Sequence, residues 1–139
     1  MVAEVSLNYI AIVAAAIVSM IIGFLWYGPI FGKVWIRLMG FTAKDMEKAK
    51  KKGMAKSYII MFIGVLVTAY VLAHFVDYME ATTFLAGMEV GCWLWLGFIA
   101  PVMLGMVLWE GKPVKLYLLN VVYQLIIIEL MAGILAVWA

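Results

Sequence analysis

Hydrophobic positions along this chain do not alternate with polar ones. They run together in four long blocks, at about residues 8–27, 58–76, 88–109 and 116–138. Each has roughly the 20 residues that a helix needs to cross a hydrocarbon core about 30 Å thick. In oil every backbone N–H and C=O must find a partner within the protein, which restricts spanning segments to helices and closed barrels. Barrel strands would alternate, and these blocks are apolar on all sides. The pattern therefore predicts an all-α, polytopic membrane protein: one domain over residues 1–139 with four transmembrane helices.

Composition agrees with the pattern. The chain is 68% hydrophobic and 13% charged, against roughly 45–50% and about 25% in soluble domains, and its mean hydropathy is +1.13. A soluble domain of 139 residues could not cover so much apolar surface, because small folds leave a large share of their surface exposed. A single cysteine, Cys92, excludes an intrachain disulfide. The first block follows Glu4 and has no small-residue cleavage site behind it, so it is expected to stay as a span.

Charge sets the expected orientation. Lys33, Arg37, Lys44, Lys48, Lys50, Lys51, Lys52 and Lys56 all lie between the first two blocks, and Lys112 and Lys115 between the last two. The middle loop carries Asp77 and Glu80. By the positive-inside rule the first and third loops are cytoplasmic and both chain ends lie on the non-cytoplasmic side of the cell (inner) membrane. Within the basic loop, residues 30–57, Phe31, Val34, Trp35, Leu38 and Met39 recur at helical spacing and predict a short interfacial helix. Thr42 then offers an N-cap, with Asp45 three residues on and Gly53 as a stop. The run Lys44, Lys48, Lys50, Lys51, Lys52 and Lys56 is expected to face anionic lipid headgroups, at about 1 kcal/mol per basic residue near the surface, and no nucleic-acid role is expected of it.

Polar groups at membrane depth cost free energy unless paired, which makes them the candidate functional residues. Glu129 is the extreme case, either a proton or cation site or a protonated contact between helices. Ala132, Gly133 and Ala136 share its face and would admit a close neighbour. Asn120 and Gln124, with Tyr123 beside them, lie on the other side of the fourth block and are expected to bond across helices. In the second block Tyr70, His74, Asp77 and Tyr78 form one stripe, in which Asp77 could hold the tautomer of His74, the one histidine. Glu80 and Glu89 flank the same outer surface, but one histidine with scattered carboxylates is not the ligand set of a zinc or copper site. Pro101 predicts a kink that frees the carbonyl of Gly97. The stripe Gly97, Pro101, Gly105 suits close packing, and Gly97, Tyr70 and Glu129 fall at similar depth, where they would form a midplane polar cluster. Met20, Met61, Met103, Met106 and Met131 are scattered and read as core filler.

Leu25-Trp26-Tyr27-Gly28 closes the first block and Leu108-Trp109-Glu110-Gly111 the third, each with a proline close behind, an echo that duplication or convergent interface chemistry would produce. Asn8-Tyr9, Leu25-Trp26-Tyr27-Gly28-Pro29, Phe31-Gly32-Lys33, Trp35, Glu110-Gly111-Lys112-Pro113, Asn120, Tyr123, Gly133-Ile134-Leu135 and Trp138 together resemble the family of small prokaryotic membrane proteins called domain of unknown function 1761. The resemblance covers nearly the whole chain and implies four spans, with no established activity and no catalytic residues to carry over. Gln124 and Glu129 depart from the family pattern.

The functional expectation is a small homo-oligomeric transporter or channel with a polar midplane or outer site. The alternative is a structural or accessory membrane protein whose polar groups only lock helices. No Ser/His/Asp set, phosphate loop or metal cluster points to an enzyme, and no metal or cofactor is expected.

Overall fold

The computed structural model describes residues 4–138, and among them all regular structure is helical. Helix α1, Tyr9–Leu25, starts where the Asn8 side chain accepts the Ala11 N–H at 3.1 Å, an N-cap that satisfies an otherwise free backbone donor. Its last turn, Trp26–Ile30, is a wider π turn. Pro29 has no N–H to offer the carbonyl four residues back, and the Phe31 N–H instead reaches the Trp26 carbonyl at 2.8 Å. Helix α2, Gly32–Met39, stops at Gly40, whose φ of +75° is the left-handed conformation glycine adopts without strain. Helix α3, Ala43–Lys52, opens on a reciprocal cap: Thr42 accepts the Asp45 N–H at 3.2 Å and Asp45 accepts the Thr42 N–H at 2.8 Å.

The second span is α4, Ala55–Tyr78. The third is broken into α5, Phe84–Phe98, α6, Ala100–Met103, and α7, Gly105–Leu108. The fourth is α8, Val114–Val137. Four helical segments, Tyr9–Ile30, Ala55–Tyr78, Phe84–Leu108 and Val114–Val137, are long and apolar enough to cross a membrane. The expected kink is present, with a break at Ile99, between Gly97 and Pro101, and a second, unexpected one at Leu104. The Ala100 carbonyl, the normal acceptor for the Leu104 N–H, receives the Tyr117 hydroxyl at 2.7 Å, and Leu104 turns back to Pro101 at 3.2 Å.

The spans run up and down, and the end carrying α2 and α3 is called the basic end. Helix α8 is central, packed on α1, α4 and α5, with buried residues from Leu116 to Ala136. Helices α5 and α8 approach until their backbones touch. A Cβ on Gly91 would lie 2.9 Å from the Ile128 carbonyl oxygen, and one on Gly87 would collide with the Ala132 carbonyl. Small residues permit this approach in a setting where van der Waals contact, not hydrophobic transfer, drives helices together. Away from the basic end, α1 and α4 bring Ala11, Ala15, Ala16, Ala69 and Ala73 into the same buried core as Met131, Ala132 and Leu135. The third span sits at the edge, with Trp93, Phe98 and Val102 exposed along its outer face.

A cavity between α1, α4 and α8

Towards the basic end the close contact of α1 with α4 gives way to a cavity of about 470 Å³ floored by α8. Met20, Phe24, Met61, Val65, Ile127 and Met131 supply apolar walls. Phe24 and Met61, 66% and 55% exposed, stand on its α1 and α4 sides, so the mouth opens between those helices at membrane depth. Ser19, Tyr123, Gln124 and Thr68 supply polar atoms, and Tyr27 and Tyr58 lie nearer the basic end. Among the described residues no Asp, Glu, Lys, Arg or His side chain lines it.

The polar atoms are unevenly satisfied. Ser19 is 1% exposed, and its Oγ makes no well-aligned hydrogen bond among the described residues, although the Tyr123 hydroxyl is near enough to pair with it. A helical serine usually bonds its own helix four residues back, and this one does not. The Tyr123 hydroxyl stands beside Ser19 and presses on α1 where Gly23 leaves room, since a Cβ there would lie 2.6 Å from it. Thr68 donates to the Gly64 carbonyl at 3.1 Å. A buried hydroxyl left unpaired costs about 1–3 kcal/mol, and the neighbouring Tyr123 hydroxyl is within reach to relieve Ser19 of it.

Just above the cavity the Tyr27 hydroxyl donates to Asn120 Oδ1 at 2.6 Å, joining α1 to α8. Tyr27 also meets Tyr123 edge-on at 5.0 Å and Trp35 of α2 at 5.7 Å, while Trp26 packs on Phe31 at 4.6 Å. The indole N–H of Trp26 is buried without an acceptor among the described residues. The π turn places these rings: by widening the helix at Pro29 it swings the chain from α1 into α2 while Tyr27 stays aimed at α8.

The residues singled out in the sequence separate into groups. Asn120, Tyr123 and Gln124 are at or beside the cavity. Glu129 is half-buried on the side of α8 that meets α5, where Gly91 approaches its Cα, and no hydrogen bond or ion pair reaches its carboxylate among the described residues. Tyr70 is exposed and packs on His74, and a Cβ on Gly97 would meet open space. The midplane cluster of Gly97, Tyr70 and Glu129 is therefore not formed, because these residues face different ways on their helices. The Gly97, Pro101, Gly105 stripe likewise has no helix packed against it at Gly97. His74 Nδ1 pairs with the Tyr70 carbonyl at 2.8 Å, not with Asp77, which borders a small recess with Asn8 and Trp138 instead. No group of three His, Cys, Asp or Glu gathers for a metal among the described residues. Lys44, Lys48, Lys50, Lys51, Lys52 and Lys56 are all exposed. The echo between the first and third spans is not a structural one: Trp26 is packed in the aromatic cluster, and Trp109 is 86% exposed.

Ser19, Gly23, Tyr58 and Thr68 escaped the sequence reading. The available signal was slight: Ser19 is a lone hydroxyl in an otherwise apolar stretch of span one, a pattern that ordinary back-bonding would also explain.

Four long apolar helices, close-packed through glycine and alanine, make this a multi-pass membrane protein of the four-helix class. Within that class the chain belongs to the family described as "Protein of unknown function (DUF1761)", whose model matches residues 10–136. Comparison with curated proteins gives no match, and neither does comparison with solved structures. The Trp26, Tyr27, Pro29, Phe31, Trp35, Asn120 and Tyr123 that carried the family resemblance lie on or directly around one aromatic cluster above the cavity.

Proposed function

We propose that the protein is a small transporter of carrier type, and that the cavity between α1, α4 and α8 is its substrate site. One observation carries the reading: a chamber open on one half of the bundle, lined by the Ser19 and Tyr123 hydroxyls and the Gln124 amide, is closed on the other half by tightly packed alanines. A channel would need a path through both halves. A carrier needs a site and a seal that can exchange sides, and glycine and alanine contacts slide at small cost in volume. The mouth faces the hydrocarbon, so the substrate is taken from the bilayer.

In this reading the basic end faces the cytoplasm, where its lysines meet anionic headgroups and the membrane potential favours cations. Self-association is part of the proposal, because a second copy would supply a partner for the Glu129 carboxylate, which has none among the described residues. Nile red, an uncharged dye that glows in lipid, provides the test. Cells that express the protein should lose preloaded dye faster on energisation than cells without it, and Gln124→Leu should cancel the difference. Equal rates in all three would favour the accessory role.

A further inference from the structure

We infer that the cavity binds an uncharged, largely apolar molecule carrying one hydrogen-bonding oxygen or nitrogen, which enters sideways from the bilayer and is anchored by Ser19, Tyr123 and Gln124. The inference rests on the cavity being the substrate site and adds the chemical class that fits it.

Charge is excluded by the lining. A phosphate, carboxylate or ammonium group in this chamber would lose its water and meet no opposite charge, since the walls hold hydroxyls, an amide and hydrocarbon. Pure hydrocarbon is disfavoured in turn, because it would cover the Gln124 amide and the Ser19 and Tyr123 hydroxyls without offering them a hydrogen bond. Position fixes where the polar atom of the ligand goes. Ser19 lies about 16 Å along the helix axis from Ile30, and Tyr123 about 14 Å from Val114, at 1.5 Å per residue, so the anchoring groups sit near mid-membrane at the inner part of the chamber. The volume of about 470 Å³ falls in the range that takes one drug-sized ligand, roughly 300–1,000 Å³, and leaves no room for both chains of a diacyl lipid. The way in lies between Phe24 on α1 and Met61 on α4, both exposed at membrane depth.

Benzophenone suits a direct test: it is uncharged, has one carbonyl acceptor, and on irradiation inserts into nearby C–H bonds with a preference for methionine. Met20, Met61 and Met131 line the chamber, whereas Met54 and Met79 are exposed elsewhere, at 47% and 65%. The full chain in lipid nanodiscs, irradiated with benzophenone and mapped by mass spectrometry, should carry adducts on Met20 and Met131 in excess over Met54 and Met79, while Met61, at the mouth, is also reached directly from the bilayer. Ser19→Ala removes one hydroxyl with little change of volume and should lower cavity labelling about fivefold, the worth of one hydrogen bond. Its Met54 and Met79 adducts should be unchanged, which serves as the internal standard for folding and dye partition. Anionic 4-benzoylbenzoate should leave Met20 and Met131 unlabelled.

Labelling that spares Met20 and Met131 would overturn the site. Cavity labelling that Ser19→Ala and Gln124→Leu do not diminish would overturn the anchor, and equal labelling by the anionic probe would overturn the uncharged class. The readout is occupancy without transport. Intact cavity labelling with no Nile red efflux would therefore count against the carrier reading alone, and efflux without such labelling against the cavity as binding site and its ligand class, leaving transport standing.

Discussion

Gly91 shows how closely a single residue can control this bundle. A side chain there would meet the Ile128 carbonyl oxygen at 2.9 Å and the Glu129 Cα at 3.2 Å, both backbone atoms that cannot swing away. Gly91→Val should destabilise the fold by about 1–3 kcal/mol, the usual range for overpacking a filled core, read as a lower melting temperature in detergent. Tyr27→Phe leaves Asn120 Oδ1 without its donor at membrane depth and should cost about 1–3 kcal/mol. The double variant with Asn120→Leu should recover part of that loss, since both polar ends are then gone. The polar residues of α8 were legible in the sequence because an amide in oil has to find a partner. The midplane grouping of Tyr70 with Gly97 and Glu129 did not form for the opposite reason. Helical periodicity groups side chains on a face, and it does not say whether that face meets a neighbour or the surrounding lipid.

Among the elements, the caps were the most legible and the breaks the least. Thr42, Asp45 and Gly53 announce the ends of α3 in the sequence, and the structure uses all three. The Asp45 carboxylate accepts the Thr42 N–H at that cap, and this bond, with the Thr42 hydroxyl beside it, holds its pKa below the ordinary aspartate value. A lowered carboxyl pKa stabilises the folded form above the unfolded value and ceases to do so as pH falls through the folded one. The first turn of α3 should therefore hold at neutral pH and fray on acidification, with amide exchange at Asp45 and Met46 as the readout and Asp45→Asn fraying at all pH values. The third span could not be read so finely. Pro101 signals a break, but the second one at Leu104 depends on Tyr117 of α8 capturing the Ala100 carbonyl, a contact between blocks that no local pattern contains. Tyr117→Phe should free that carbonyl and let α6 and α7 join, seen as added amide protection at Leu104.

For the whole molecule, the fold follows from four apolar blocks, while the site depends on how they splay. The blocks and their polar ends are a local property, readable because lipid forbids irregular backbone. The cavity is a gap left where α1 and α4 part, and gaps have no residue pattern of their own. Sidedness is a property of the same scale and rests on charge partition. Turning the bundle over would carry Lys33, Arg37, Lys44, Lys48, Lys50, Lys51, Lys52 and Lys56 across the membrane, against a potential worth about 2.3 kcal/mol per charge at 100 mV. The opposite loop, with Asp77 and Glu80, opposes translocation far less. With Cys92, the one cysteine and an exposed one, replaced by alanine, Met79→Cys should react with an impermeant maleimide on intact cells. Lys48→Cys, in exposed α3, should react only after the membrane is opened. The reverse pattern would place the cavity mouth in the outer leaflet, and the proposed carrier would then draw its substrate from outside. Labelling of both positions on intact cells would mean that the two loops share one side, which four antiparallel spans do not allow.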